Sequence, residues 1–204
     1  MKKFLPITAL LSILLPCCSP GNGLQDGDLV FRVADSDAFS TSIVEATRSP
    51  REQQFDHVGI YAKIEGKPSI IEACPSKGVA ITPLKDFLAD SPAGTCCLRL
   101  TEDCDIPAAL QRALSHLGEG YDWHFRENNG LMYCSELVYE SFLRADGSHI
   151  FPAAPMNFLD SNGALPEFWA ELFARLGEEL PQGKSGTNPN GIAASELLEV
   201  VELR

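Results

Sequence analysis

Five short apolar segments in the first half of the chain have the composition of β-strands. Turn-forming residues bound them, as at Gln25–Asp28 before the first and Glu65–Pro68 between the second and third. The segments are Leu29–Phe31, Val58–Ile64, Ser69–Ala73, Val79–Ile81 and Cys96–Leu100. Because these strands cluster ahead of the main helices and have short connections, the pattern predicts an α+β fold, a small antiparallel sheet with helices packed on it.

Helical patterns accompany and follow these strands. Thr82 and Pro83 have the residue types of an N-cap and first turn, for a helix running to about Asp90. Asp105 and Gly118 bracket the clearest helix, whose apolar residues recur every three or four positions. Other predicted elements are helices at Ser40–Arg48, Cys134–Ala145 and Pro166–Leu176, loops at Gly120–Gly130 and Gly183–Gly191, and a closing strand at Leu197–Val201.

The first twenty residues have the pattern of an export signal. Two lysines precede a mostly apolar run, Phe4–Leu15, which is too short to span a bilayer comfortably. The following cysteines resemble a bacterial lipoprotein signal, in which Cys17 or Cys18 would carry the lipid; a plain secretory signal cleaved near Ser19 is the alternative. We expect an exported protein anchored at a membrane of the cell envelope, with residues 1–18 as signal, 19–24 as linker and 25–204 as one domain.

Net charge and cysteine content limit the ligands and the disulfides that this chain can have. The chain carries 28 acidic and 16 basic residues, a net charge of −12, so it repels nucleic acid and favours cationic or neutral substrate groups. Removal of the signal leaves an odd number of cysteines, so at least one thiol is unpaired within the chain. They are Cys74, Cys96, Cys97, Cys104 and Cys134, and a disulfide among the first four stays open. No spacing matches a zinc site, and no metal or other cofactor is predicted.

Three residues have the types that covalent thiol chemistry needs. Cys134 stands where a polar loop becomes an amphipathic helix, and the partial positive charge of a helix N-terminus favours thiolate. His57 heads an apolar strand, and Glu72 lies in the next strand among apolar residues. Taken singly, they are explained as a buried small residue, an exposed strand end and an outward-facing acid. Together they supply a nucleophile, a base and a group that orients the base.

The hairpin between the second and third strands decides whether His57 and Glu72 can meet. A two-residue turn at either Glu65-Gly66 or Gly66-Lys67 puts both side chains on the same sheet face. The tighter register sets them diagonal to each other, roughly 7–8 Å apart between backbones, within reach of two long side chains. A three-residue turn would separate them onto opposite faces.

Four motifs occur in a fixed order, Asp26–Val30, Asp56–Tyr61, Ile71–Ala73 and Tyr133–Val138. As a set they resemble the YiiX group of circularly permuted papain-like enzymes, within the NlpC-type superfamily of cell-wall peptidases and amidases. In that permuted branch the histidine strand precedes the cysteine helix, as here. The resemblance covers most of the chain from about Asp26 to Phe151.

The resemblance implies a permuted papain-like fold with a catalytic cysteine at a helix N-terminus, and it implies a role for each residue. Cys134 would attack a carbonyl, with its backbone N–H as one oxyanion donor; His57 would transfer the proton and Glu72 would orient His57. Supporting candidates are Tyr133 as second donor, Tyr121 as a loop anchor or substrate contact, and Asp28 and Asp56, which turn capping also explains. His116, His124 and His149 have no partner at metal-ligand spacing and are interpreted as non-catalytic.

Three functions are compatible with these residues. The favoured one is an exported thiol amidase or peptidase that cleaves an amide bond in envelope peptide or peptidoglycan-derived material. The second is an acyltransferase or thioesterase of the lecithin–retinol acyltransferase type, acting on lipid acyl groups; it ranks lower because no membrane segment or apolar flap follows Ser19. The third is a non-catalytic ligand-binding module in which Cys134 is idle.

Overall fold

The computed structural model describes residues 23–49 and 52–201. The predicted signal over residues 1–18, with Cys17 and Cys18, lies outside the described residues, as does most of the predicted linker. Within the described ranges, no helix is long and apolar enough to cross a membrane.

Strands and helices account for most of the described chain. The strands are β1 (Leu29–Val33), β2 (Phe55–Ile64), β3 (Lys67–Cys74), β4 (Gly78–Pro83), β5 (Thr95–Leu100), β6 (Gly120–Tyr121), β7 (Leu131–Met132), β8 (Ala154–Pro155), β9 (Ser185–Gly186) and β10 (Leu198–Val200). The helices are α1 (Ala38–Thr47), α2 (Leu84–Ala89), α3 (Ile106–Ser115), α4 (Cys134–Ser141), α5 (Glu167–Leu176) and α6 (Pro189–Ala193).

Six strands form one antiparallel sheet in the order β10-β5-β1-β2-β3-β4. Side chains alternate between its faces: Leu29 and Phe31 join the larger core, whereas Val30 between them joins a smaller core on the other face. Helices α3, α4 and α6 pack into the larger core, and α2 packs into the smaller one. The prediction of an antiparallel sheet with helices packed on it is confirmed.

The β2–β3 hairpin has the tighter of the two predicted registers. Ile64 pairs with Lys67 across the two-residue turn Glu65-Gly66, and Ile60 pairs with Ile71. Both turn residues have positive φ, 51° and 76°, as a two-residue hairpin that matches the right-handed strand twist requires. This register places Glu72 diagonal to His57 on one face of the sheet.

A third apolar cluster joins α1 and α5 to the segment around Phe158. Trp169 of α5 is almost fully buried, and its ring meets Phe158 and Phe125 edge to face, with centroids 5.1 and 5.5 Å apart. Ile43 of α1 and Met156 belong to the same cluster. Because α1 and α5 are far apart in sequence, only tertiary packing brings this apolar wall together.

The predicted helix start at Thr82 is wrong. Thr82 belongs to β4, where it pairs with Ile70, and α2 begins only at Leu84 after an extended Pro83. The threonine hydroxyl donates to Glu72 instead of capping a helix. Pairing with β3 keeps the backbone extended at Thr82, which overrides the local helix-start signal.

Two other predicted boundaries are corrected. Helix α4 ends at Ser141 instead of Ala145, because Phe142 takes an extended conformation and Leu143 then bridges to His149. The predicted loop over residues 183–191 contains β9 and the start of α6. The Asn188 side chain accepts a hydrogen bond from Gly191 N at 2.7 Å, so an N-cap asparagine followed by Pro189 was the overlooked helix signal.

Candidate active site

Cys134 is the first residue of α4 and is buried. Tyr133 precedes it with an extended backbone, and the Tyr133 N–H donates to Glu136 Oε2 at 3.3 Å, which ties the first turn together. The sulfur therefore lies at the end of the helix where backbone N–H groups are unpaired and the dipole is positive. Such an environment stabilises negative charge on or next to the side chain.

His57, Glu72 and Thr82 form a hydrogen-bonded chain across three adjacent strands. His57 Nε2 lies 2.6 Å from Glu72 Oε2, and both side chains are buried, at 5% and 8% exposed. Thr82 Oγ1 donates to Glu72 Oε1 at 2.5 Å. Because Nε2 is occupied by the carboxylate, Nδ1 is the ring nitrogen left to face Cys134, whose side chain hydrogen-bonds His57.

Gly59 makes room for this chain. A Cβ atom at residue 59 would lie 2.3 Å from Ile70 Cγ2 and 3.3 Å from Glu72 Cβ. Any side chain there would push these two β3 residues away from His57. The glycine in the motif Asp56–Tyr61 is therefore a requirement of the His57–Glu72 contact.

The charges of the pair follow from its contacts. Burial opposes a charge on His57, but its hydrogen bonds to Cys134 and Glu72 outweigh burial and raise its pKa to about 10. Burial likewise opposes the charge on Glu72, but the hydrogen bond from His57 and the one from Thr82 lower its pKa. At neutral pH the site therefore holds an imidazolium between a carboxylate and the cysteine sulfur.

The two candidate tyrosines have different surroundings. Tyr121 is buried close to Cys134, and burial, with the added effect of the Cys134 charge, raises its pKa, so its phenol stays protonated. The Tyr133 hydroxyl accepts a hydrogen bond from Thr187 N at 3.1 Å, and burial raises its pKa as well. Tyr121 is therefore the tyrosine near Cys134 whose hydroxyl is not engaged with Thr187.

Asp28 and Asp56 are both buried and paired with arginines. Both oxygens of Asp28 accept from Arg99, each at 2.7 Å, and Asp28 Oδ2 also accepts from Gln25 N in the turn before β1. Asp56 accepts from Arg32 Nε at 2.9 Å. Asp28 therefore stabilises a turn, whereas Asp56 lies directly before His57 and holds a cation there.

A pocket of about 490 Å³, including its open mouth, adjoins Cys134. None of its lining side chains is Asp, Glu, Lys, Arg or His. The lining includes Ile43, Tyr121, Phe125, Tyr133, Met156, Phe158, Trp169 and Thr187. Half of these residues, Met156, Phe158, Trp169 and Thr187, lie beyond the motif-bearing part of the sequence, and only Trp169 among them falls in a predicted helix. The Thr187 hydroxyl also donates to Ser135 Oγ at 3.0 Å, which ties the Thr187 segment to α4.

Comparison with known proteins assigns the chain to a family. A family model described as permuted papain-like amidase enzyme, YaeF/YiiX, C92 family, matches residues 23–202. The chain belongs to this family. The uncharacterized protein YiiX of Escherichia coli K12 is 26% identical over 181 residues, which are 87% of this chain and 85% of that protein. A crystal structure described as metalloprotein yiiX from Escherichia coli O157:H7 matches with a TM-score of 0.71 at 25% identity, over 88% of this chain and 97% of that one.

Membership of the C92 family confirms the resemblance to YiiX-like permuted papain-like enzymes, and the family is one of amidases. The Escherichia coli protein of that crystal structure is described as a metalloprotein, so we asked whether this chain has residues that could hold a metal ion. In the described residues of this C92 chain, no group of three or more His, Cys, Asp or Glu side chains is arranged to hold an ion. Glu72, the acid nearest His57, already has both oxygens engaged. The residues present do not fit a metal centre at this site.

The other cysteines and histidines of this C92 chain have local partners. Cys74 and Cys104 carry free thiols, so no disulfide joins them. The remaining histidines each lie beside a glutamate: His116 with Glu119, His124 with Glu178 and His149 with Glu140, at 3.0, 3.1 and 3.6 Å. These three ion pairs are partly exposed and contain no thiol.

Glu136 gives this C92 chain a pH-dependent stability. Burial raises its pKa to about 8, and the hydrogen bond from the Tyr133 N–H offsets this only in part. Between the unfolded value of 4.5 and about 8, the folded protein holds a proton that the unfolded chain has released. The free energy of unfolding therefore falls as pH rises through this window.

We expect Glu136→Gln to remove this fall in the free energy of unfolding with rising pH, because glutamine keeps an acceptor for the Tyr133 N–H and carries no charge. At pH 9 the variant should exceed the parent protein in free energy of unfolding by up to about 5 kcal/mol, and the difference should vanish near pH 4. Urea unfolding at the two pH values measures it. If variant and parent differ in free energy of unfolding by the same amount at both pH values, Glu136 is not protonated in the folded protein.

Proposed function

We propose that this chain is a thiol amidase in which Cys134 is the nucleophile, His57 the acid and base, and Glu72 the residue that orients His57. The observation that carries the proposal is the buried chain of hydrogen bonds from Thr82 through Glu72 to His57. Cys134 is hydrogen-bonded to the same imidazole. A nucleophile, a base and a group that holds the base are the minimum set for covalent acyl transfer.

The proposed reaction proceeds in two steps. The Cys134 sulfur attacks the carbonyl carbon, and collapse of the tetrahedral intermediate breaks the C–N bond as His57 gives its proton to the leaving amine. The acyl group is then a thioester on Cys134. Water attacks that thioester while His57 takes its proton, and the acid leaves with the sulfur restored. Glu72 keeps Nε2 occupied throughout, so that Nδ1 carries the proton transfer.

Two donors would stabilise the oxyanion of each intermediate. The first is the backbone N–H of Cys134 at the start of α4. For the second, we favour the Tyr121 phenol over Tyr133, because Tyr121 stays protonated beside the sulfur whereas the Tyr133 hydroxyl is engaged with Thr187. Loss of one such donor typically costs about 100- to 1000-fold in kcat.

The pocket next to Cys134 supports an apolar substrate group. Its walls are mostly aromatic and aliphatic, and their polar side chains are uncharged, so they match an acyl chain or a large apolar side chain better than the carboxylates of a peptidoglycan stem peptide. The same observation favours a second candidate, transfer of a lipid acyl group to an acceptor other than water. Export and a lipid anchor at Cys17 or Cys18 are part of the proposal, since they would hold the pocket beside membrane lipid.

Acyl glycines of increasing chain length, from acetyl to decanoyl, test the proposed activity. Each added methylene that enters the pocket should raise kcat/KM by about fourfold, the equivalent of 0.8 kcal/mol, until the pocket is full. Release of glycine measures the rate. Mass spectrometry of quenched reactions should find the acyl group on Cys134, and Cys134→Ala should carry none.

Addition of a lipid alcohol or amine distinguishes the amidase from the lipid acyltransferase. A hydrolase continues to form free acid, whereas an acyltransferase forms the acylated lipid at the expense of the acid. Faster cleavage of a peptidoglycan stem peptide than of any acyl glycine would overturn the apolar substrate class. A chain that forms no covalent adduct and binds the same ligands with Cys134 replaced would be a binding module.

A further inference from the structure

Arg32 lies beside the candidate active site without being part of the Cys134–His57–Glu72 set. It sits on β1 directly opposite His57 of β2, so the two side chains leave the sheet on the same face. The Arg32 side chain is 29% exposed, whereas its partner Asp56 is 1% exposed. A cation at the edge of a buried site and open to solvent is positioned to meet a ligand.

Asp56 fixes the orientation of this arginine. Its Oδ1 accepts from Arg32 Nε at 2.9 Å, and its Oδ2 accepts from the Ser40 hydroxyl of α1 and lies 3.5 Å from Asp35 N. Among the described residues, Nε is the Arg32 nitrogen that donates a hydrogen bond, and neither terminal guanidinium nitrogen donates one. A planar fork with its Nε anchored and its outer nitrogens unused has the geometry for binding one carboxylate.

The charges around Arg32 connect it with the nucleophile. Burial opposes its charge, but the hydrogen bond to Asp56 and the charges of Asp56, Cys134 and Glu72 raise its pKa. Arg32 therefore stays protonated in the field of the site. The chain as a whole has a charge of −12, which favours cationic or neutral substrate groups. At this edge of the site the local charge instead favours an anionic substrate group, because Arg32 is a fixed cation there.

We propose that Arg32 binds a carboxylate of the substrate next to the bond that Cys134 attacks. The inference rests on the proposed function and narrows its substrate class to amides that carry a carboxylate close to the scissile bond, with the apolar group in the pocket of Trp169 and Phe158. Asp56 is the residue that positions Arg32 for this contact.

Two alkylating reagents of nearly equal size test Arg32 without any need for hydrolysis. Iodoacetate carries a carboxylate next to the carbon that sulfur attacks, and iodoacetamide carries a neutral amide there. We expect the ratio of the iodoacetate rate to the iodoacetamide rate at Cys134 to fall about tenfold or more in Arg32→Gln, the loss of one charge-assisted hydrogen bond. Peptide mass spectrometry reads each cysteine, and the free thiol of Cys74 is the internal reference.

The controls separate charge from folding. Arg32→Lys retains a cation for Asp56 and should keep most of the ratio while losing the two-pronged contact, and thermal unfolding of both variants reports their folding. An unchanged ratio in Arg32→Gln, or equal slowing with both reagents, would overturn the carboxylate site.

A pair of substrates, with and without a carboxylate, tests whether carboxylate binding at Arg32 contributes to amide cleavage. Decanoylglycine should be cleaved faster than decanoylglycinamide, and Arg32→Gln should remove the difference through KM more than through kcat. If neither compound is cleaved yet the iodoacetate ratio behaves as expected, the amidase proposal fails while the carboxylate site stands. If both are cleaved at equal rates, the amidase proposal stands and the carboxylate site fails.

Discussion

Replacement of His57 by alanine is expected to slow alkylation of Cys134 by iodoacetamide at pH 5.5 by about 100-fold. A free cysteine thiol in water is about one part in a thousand thiolate at this pH, and a thiolate paired with imidazolium is less nucleophilic than a free one, which reduces the gain. The imidazolium of His57 lies in hydrogen-bond contact with the sulfur, and replacement by alanine removes both this hydrogen bond and the cation beside the nucleophile.

Peptide mass spectrometry between pH 4 and pH 10 measures this prediction at each cysteine. At the acidic end of this range, Cys134 should react faster in the parent protein than in His57→Ala. His124→Ala is the matched control, because His124 also lies beside a glutamate, at 3.1 Å, but in a partly exposed pair that contains no thiol. Slow reaction in all three proteins would mean that Cys134 is shielded and unpaired, which would favour the binding-module function.

Glu72→Gln is expected to lower the pKa of His57, now about 10, by about 1 to 2 units. Glutamine keeps an oxygen acceptor within reach of Nε2 and removes the charge. The imidazolium is required to protonate the leaving amine, so the alkaline limb of the rate profile should move to lower pH. Stability should follow the same direction. His57 adds stability below its unfolded pKa of 6.5 that is lost as pH rises towards 10, and the variant should lose it earlier.

Nuclear magnetic resonance titration of the labelled His57 ring measures the shift directly, and the pH dependence of acyl glycine hydrolysis reports its consequence. Glu178→Gln is the control, because it removes the same charge from the exposed pair with His124 and should leave the His57 titration unchanged. An unchanged His57 titration in Glu72→Gln would show that Cys134 alone holds the imidazolium, and Glu72 would then have no part in the mechanism.

The central sheet could be predicted because its signals are local. Short apolar segments bounded by turn residues predicted all six of its strands, and the turn residues around Gly66 predicted the hairpin register to within two choices. Since that register sets which side chains share a face, the approach of Glu72 to His57 was within reach of the sequence. Gly59 could also have been interpreted, because a glycine inside an apolar strand often marks a close approach of a neighbour.

Thr82 shows where local signals fail. The pair Thr82-Pro83 has the residue types of a helix start, yet the pairing of β4 with β3 keeps Thr82 extended and turns its hydroxyl towards Glu72. Long-range strand pairing overrides local propensity here, and the result is a third member of the hydrogen-bonded chain that no motif indicated.

Motif order and strand alternation in the sequence alone determined the antiparallel sheet, the cysteine at a helix start and the shared face of His57 and Glu72. Only the tertiary structure decided what surrounds them. The apolar pocket combines α1, α5 and the Thr187 segment, and Arg32 meets His57 through the pairing of β1 with β2. These contacts join residues tens to more than a hundred positions apart. Such contacts leave no local period in a single sequence, because they depend on how whole elements pack.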